Sequence, residues 1–361
     1  MDCLEFQNLY PDCACLKLAV IPQQLGTALA EQFDLYLTLS FGQQWQPLLQ
    51  GRICLGLKAA KLQLKLENSE ISEIDTTFGD LWQVKAIASP NHPTWQLNSK
   101  PGDPGLRCSL LQLKLGTVRV IDQPCTIIAT LETSLSDISL TDAEGLWRHD
   151  ISPNKLAVVE RAIAYYLKQE AFCYHLSWIR LGVEPATSSN SATATVNPDS
   201  LSRLQALLAQ LYTAETDNFL ELVAIAGLNP NIDLAGGNFV ATKLNSLAAS
   251  GSDLSRANFR GADLTDADLS EANLSKTKFG GADLSGAYLG NANLREADLH
   301  RASLALANLI GADLTGANLV QANLTQANLS SATVTGAKFS DNPGLSEKMK
   351  LNLKQRGAIF T

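Results

Sequence analysis

Ala307 to Leu329 reads ANLIGADLTGANLVQANLTQANL, a five-residue phrase in which Ala, then Asp or Asn, then Leu return while the last two letters vary. A leucine at every fifth position fits neither the 3.6-residue period of a helix nor the two-residue period of a strand. Followed outward, the register holds from Leu234 to Phe339, 22 units without a break. In most units Ala stands two places before the central residue, as at Ala262, Ala287 and Ala317. Two residues apart on an extended chain share a side, so one small and one large apolar residue point inward and the Asp or Asn between them points out. The two remaining positions are small, polar or Gly, as at Gly281, Gly286, Gly311 and Gly316, which suits a turn. Such a unit is a very short strand plus a corner. It cannot bury its leucine alone, but stacked coils can.

The A-[DN]-L-x-x phrase, sustained from Ile232 to Asp341, resembles the pentapeptide-repeat family. The resemblance implies a right-handed quadrilateral β-helix with four units per coil. The sequence contains its own test of four sides. The phenylalanines at central positions are Phe239, Phe259, Phe279 and Phe339, and every pair differs by a multiple of one twenty-residue coil. They are predicted to form an aromatic ladder along one face. At roughly 4.8 Å per coil, five and a half coils make a rod about 26 Å long.

Charge sorted by face defines a candidate interaction surface. The phenylalanine face carries Arg260, Lys278, Arg301 and Lys338 against Asp298 and Asp341, and the next face carries Asp263, Asp266 and Asp283 against Lys243. From Ala302 to Ala337 the one charge is Asp313. Some members of the family that this chain resembles mimic B-form DNA with dense acidic faces and bind type II topoisomerases. The repeats here hold 11 acidic and 8 basic residues, too balanced for that role, and a rigid spacer or contact surface is the preferred reading.

An open coil end exposes unpaired backbone and needs a cover. Before the repeats, residues 200–231 hold two predicted helices, LSRLQALLAQLY and one from about Asp217 to Ala226 with a stop at Gly227. The second lies in DNFLELVAIAGLNP, which resembles segments preceding the repeats in cyanobacterial pentapeptide proteins. After the repeats, residues 342–361 predict a capping helix opened by Ser346 and stopped at Gly357. Its Lys348, Lys350, Lys354 and Arg356 are read as a solvated face rather than a membrane or partner helix. Topoisomerase-directed relatives dimerise through this end, which leaves room for a homodimer.

Upstream, PATSSNSATATVN within residues 184–199 has no apolar period and reads as a flexible linker. Residues 1–183 are expected to form a separate antiparallel, β-sandwich-like α+β domain. The alternations at Phe33, Leu35, Leu37, Leu39 and Phe41, at Leu62, Leu64 and Leu66, and at Leu111, Leu113 and Leu115 mark its strands. A helix opened by Ser152-Pro153 closes it, with Leu156, Val159, Ile163, Tyr166 and Leu167 inward. The fold class is therefore mainly β, this domain preceding a helically capped pentapeptide-repeat solenoid.

The sequence offers little chemistry. It holds no phosphate loop, dinucleotide fingerprint, nucleophile elbow or H-E-x-x-H. Cys13 and Cys15, with Cys3 near, are metal candidates read instead as buried thiols, since seven cysteines in a large apolar domain fit a reducing compartment. His149-Asp150 is the one acid-base constellation, and it also suits the start of a helix. Trp82, Trp95 and Trp147 are core aromatics or a binding surface. The net charge of −8 argues against binding a phosphate backbone directly, and no run approaches the roughly 18 apolar residues that span a bilayer. The reading is a cytoplasmic, non-enzymatic protein-protein interaction scaffold with an unknown protein partner, without cofactor, metal or catalytic residue. The alternatives are a DNA-mimic-like binder of type II topoisomerase and an enzyme with its site in residues 1–183.

Overall fold

The computed structural model describes residues 2–8, 13–23, 32–76, 78, 82–100, 105–146, 150–171, 177–182 and 198–360. They divide into two compact units, Met1–Leu146 with Leu167–Leu201, and Trp147–Tyr166 with Ser202–Thr361. The chain thus passes between units three times.

The first unit is built of antiparallel strands. A six-stranded sheet runs in the order Asp2–Asn8, Ser177–Gly182, Thr126–Glu132, Ala59–Glu67, Thr94–Asn98, Gln83–Ile87. A four-stranded sheet joins Ala14–Pro22, Gln32–Phe41, Cys108–Val120 and Ser69–Ser72, and a three-stranded one Ile138–Glu144, Gly51–Leu57 and Gln44–Leu48. Alternation does what it predicts on two strands, burying Leu35, Leu37, Leu39 and Phe41, and Leu62, Leu64 and Leu66. It fails at Leu111, which is 73% exposed, although Leu115 is buried. The register against Gln32–Phe41 shifts between Leu110 and Leu113, and Gln112 has φ 50°. A bulge of this kind resets which side each residue faces. Trp95 and Trp82 are buried, their indole N–H groups donating to Asp75 O at 2.8 Å and Arg107 O at 2.9 Å, which makes both core aromatics. Trp147 lies outside the described residues.

In the second unit, parallel bridges join residues twenty apart along the whole repeat, from Asn238 with Asn258 to Asn318 with Lys338. From Asn258 to Lys338 each outward residue is hydrogen bonded both ways to the coil before it. Asp283 N–H donates to Ala262 O at 2.9 Å and its carbonyl accepts from Leu264 at 2.7 Å. At the corners Ala257 N–H returns to Leu254 O at 3.2 Å while Arg256, between them, has φ 60°. A bond from residue i+3 to residue i around a positive φ at i+2 is the pattern of a type II turn. The Asp or Asn of the phrase serves that corner. Asp253 accepts the Ser255 N–H at 3.0 Å, Asp313 that of Thr315 at 2.9 Å, and Asn323 that of Thr325 at 3.1 Å. The inner Ala and Leu of the units are buried, and those such as Ala267 and Leu269 completely so.

Helices α1 (Pro153–Tyr166), α2 (Pro198–Thr213) and α3 (Phe219–Ile225) accompany the first coil, and α4 (Glu347–Gln355) follows the last. The sequence reading placed α1 at the end of the N-terminal domain. It belongs to the second unit instead, and two buried polar side chains explain why. Lys243 lies on the first coil, where no coil precedes it. Asn154 donates from Nδ2 to Lys243 O at 3.0 Å and accepts the Lys243 N–H at Oδ1 at 2.9 Å. Its side-chain amide takes the place of the missing strand's peptide group. Two turns later Arg161 Nε donates to Asp233 O. Replacing Asn154 with Ala orphans both groups of Lys243 and is expected to cost about 1–3 kcal/mol, read as a lowered melting temperature. The proposed linker, residues 184–199, lies outside the described residues up to 197, and α2 already starts at Pro198.

At the other end, Ile359–Phe360 pairs in parallel with Lys338–Phe339 as a last rung. Carbonyls of the final coil are taken by side chains. Asn342 Nδ2 donates to Leu319 O at 2.6 Å and Ala322 O at 2.9 Å, and Arg356 donates to Leu329 O and Ala332 O. Ser346 caps α4 by accepting the Met349 N–H at 3.3 Å.

Candidate interaction surface on the stacked coils

A flat coil wall presents its outward side chains at fixed spacing, and the twenty-residue register decides which ones meet. On the phenylalanine face Arg260 and Arg301 are exposed and Lys278 half-buried. Arg301 Nε donates to Gln321 Oε1 at 2.8 Å, one coil on. On the next face the three predicted acids differ in duty. Asp263 accepts from the Thr265 N–H at 3.1 Å and hydroxyl at 2.8 Å, and Asp283 from the Ser285 N–H at 3.0 Å and hydroxyl at 2.6 Å. One oxygen of each is therefore spent on holding a corner. Asp266 is exposed at φ 55°, its carboxylate lying over Gly286, where an added Cβ would meet Oδ1 at 2.2 Å. Charge is tuned likewise at Asp313. Burial raises its pKa, but the Thr315 hydroxyl and N–H and the Arg295 guanidinium outweigh that and hold the carboxyl below the usual range.

Behind the cationic face lie the ring contacts. Phe239 stacks on Phe259 with centroids 5.0 Å apart, and Phe259 on Phe279 at 5.2 Å. Phe339 does not reach Phe279, because the units between them in this column centre on Leu299 and Leu319; its ring partner is Phe360, at 5.2 Å. The column is closed by aromatics contributed by the flanking segments. Phe219 of α3 meets Phe239 edge-on at 5.5 Å, and the Lys354 ammonium of α4 sits 5.3 Å from the Phe360 ring. Phe360 is out of the five-residue phase, and Phe219, although twenty residues before Phe239, lies in a helix ahead of the repeat, so the repeat pattern alone missed both. The basic residues of α4 are also placed by this geometry: Lys350 pairs with Glu347 at 2.8 Å and Arg356 caps carbonyls.

The remaining candidates resolve as follows. Cys13 is buried, and burial, with Cys54 the next cause, pushes its thiol up to about 12. Such a group is a poor source of thiolate for a metal. Among the described residues no group of three or more His, Cys, Asp or Glu is arranged to hold a metal ion. His149 lies outside the described residues. Its neighbour Asp150 lines a cavity of about 280 Å³ with Ser152, Lys155, Tyr212, Glu215 and Asp217. The polar groups there act as caps: the Ser152 hydroxyl donates to Asp217 and accepts the Lys155 N–H, while Lys155 Nζ donates to Ala214 O at 2.6 Å. Among the described residues no helix is long and apolar enough to cross a membrane.

Stacked five-residue units with capped ends define a repeat protein of the coil-stacking class. The chain belongs to the pentapeptide-repeat family. Residues 238–281, 278–316 and 307–341 match the family described as Pentapeptide repeats, in 8 copies. Among solved structures it is similar to Rfr23, a pentapeptide repeat protein from the cyanobacterium Cyanothece 51142, at 30% identity over 29% of this chain and 90% of that one, with a TM-score of 0.26. It is similar to HetL of Nostoc sp. strain PCC 7120, a pentapeptide repeat protein involved in heterocyst differentiation regulation, at 33% identity over 29% and 54% of the two chains, with a TM-score of 0.17. The plasmid-mediated fluoroquinolone resistance protein QnrB1 is more distant, at 17% identity over 34% and 67%, with a TM-score of 0.18. No curated protein matches the sequence.

Proposed function

We propose that the chain is a non-enzymatic protein-protein interaction scaffold. In this reading the repeats form a right-handed quadrilateral β-helix and the antiparallel unit serves as a second binding module. The observation that carries the scaffold role is the division of labour within each unit. Its Ala and Leu are spent on the interior and its Asp or Asn on the corner. Arg260, Lys278, Arg301 and Asp266 have no such task and stand on walls of fixed geometry. Rigid, regularly spaced side chains lose little freedom on binding, which favours recognition. The right hand of the coil follows the general preference of parallel crossovers and the family resemblance.

The test uses the full chain as bait in native lysate, because cutting at residue 200 would remove α1 from its coil. Wild type is compared with a cationic-face reversal, Arg260, Lys278 and Arg301 to Glu, and an acidic-face reversal, Asp266→Lys. A partner lost with either reversal assigns recognition to the coils. A partner kept by both assigns it to the antiparallel unit and makes the coils a spacer. No partner with any bait removes the reading. The topoisomerase alternative predicts inhibition of supercoiling, whereas the balanced charge of these repeats predicts that micromolar full-length protein leaves a gyrase supercoiling assay unchanged.

A further inference from the structure

The register shows a charge separation larger than face-by-face counting suggests once corners are included. Seven of the eight Lys and Arg between residues 232 and 341 stand on the phenylalanine face or its two corners: Arg256, Arg260, Lys276, Lys278, Arg295, Arg301 and Lys338. Eight of the eleven acids lie on the other three walls, where Lys243 is the one cation. Within the cationic strip two residues are already paired, Lys276 with Glu296 at 3.7 Å and Arg295 with Asp313 at 3.0 Å. Arg260, Lys278, Arg301 and Lys338 have no carboxylate at salt-bridge distance among the described residues. The acid in their midst, Asp298, has one oxygen occupied by the His300 N–H at 3.2 Å and Asn318 Nδ2 at 2.9 Å.

The wall is also cleared for a chain to lie on it. Arg260 Nε passes 3.5 Å from where Gly280 would carry a Cβ, and His300 O lies 3.8 Å from the same point. The guanidinium therefore lies across the bare backbone of the next coil instead of projecting from its own. His300 points its Nδ1 at Val320 O, at 2.9 Å; a carbonyl only accepts, so Nδ1 carries the hydrogen.

We propose that this cationic wall docks an extended acidic segment of a partner protein. The inference rests on the scaffold reading and names the partner's chemistry. Width selects the occupant. A duplex or a lipid surface would press on the adjoining walls as well, where Asp253, Asp263 and Asp283 repel it. A single extended chain fits one wall, and about eight residues at ~3.4 Å each cover the roughly 26 Å of stacked coils. Alternate side chains of that chain face the cations.

The probe is a fluorescein-labelled peptide of about ten residues with Glu at alternate positions, titrated with the full-length protein by fluorescence anisotropy. Saturable binding is expected, weakening about tenfold or more as salt rises from low to roughly 0.3 M. The double variant Lys278→Glu/Arg301→Glu is expected to weaken it about tenfold or more, whereas Asp266→Asn on the next wall leaves it unchanged or tighter. The milder Lys278→Gln/Arg301→Gln pair, with its melting curve, separates lost charge from lost fold. Absence of saturable binding, equal affinity in a folded double variant, or tighter binding of duplex DNA, phosphatidylserine vesicles or a second copy overturns the proposal. If the peptide fails while a lysate partner is lost with Asp266→Lys, this inference falls and the scaffold reading stands. If no bait recovers a partner either, both fall.

Discussion

Leu284→Asp is expected to destabilise the repeat unit by about 4 kcal/mol or more, since removing a buried leucine alone costs about 2.7–5 kcal/mol and a buried carboxyl adds its own penalty. Leu284 is fully buried, and its N–H is fixed to Ser303 O at 2.7 Å, so the side chain has no route outward. In a stacked array one bad unit weakens its contacts with the coils on both sides. The informative control is the same exchange at Leu306, which is 63% exposed at a corner with φ 63°. Asp tolerates that conformation better than Leu, so Leu306→Asp should change stability by no more than about 0.5 kcal/mol. Thermal unfolding of the two variants checks both. A melting curve unchanged by Leu284→Asp would refute the five-residue register.

Gly344→Ala should be nearly as damaging, at about 3 kcal/mol, combining a forced overlap with an unfavourable backbone. Leu324 N–H donates to Pro343 O at 2.8 Å, which draws the chain down onto the last coil. A Cβ at Gly344 would meet Thr325 N and Cα at 2.4 Å, and φ there is 92°. The obstacle is backbone, which cannot rotate away. Relief requires lifting the chain that leads into α4, and this uncovers a coil end whose unpaired groups invite association. Light scattering should then show growth with concentration that the wild type lacks. Gly227→Ala offers the contrast: φ is 65° but nothing lies within 4 Å of the added Cβ, so only the conformational cost of about 1 kcal/mol remains. Equal melting curves for the two glycine variants would show that the close approach at Gly344 is not the source of the effect.

Several features were written in the sequence because each depends on neighbours at a constant separation. A unit touches those twenty residues before and after it, so the phase of Leu264, Leu284 and Leu304 already states which residues stack. The rings of Phe239, Phe259 and Phe279 share a column for the same reason. The Asp and Asn of the phrase were legible as outward residues, but their work was not. That Asp283 spends an oxygen on Ser285 is a matter of corner geometry, and it removes part of what looked like free surface charge.

The period of five, the caps at Ser346 and Gly357, and the alternation of Gln32–Phe41 follow from local chain physics, and the sequence by itself determined them. Tertiary structure alone decided where α1 belongs, because a helix whose apolar residues face inward can serve any core. The assignment turns on Asn154 and Arg161, whose partners Lys243 and Asp233 lie 89 and 72 residues away. It also decided the exposure of Leu111 and the roles of Phe219 and Phe360. In each case the cause is the same. An unpaired backbone group, a bulge or an open ring face at the end of a stack exists only once the rest has folded, and the residue that meets it carries no mark of it in its own stretch of chain.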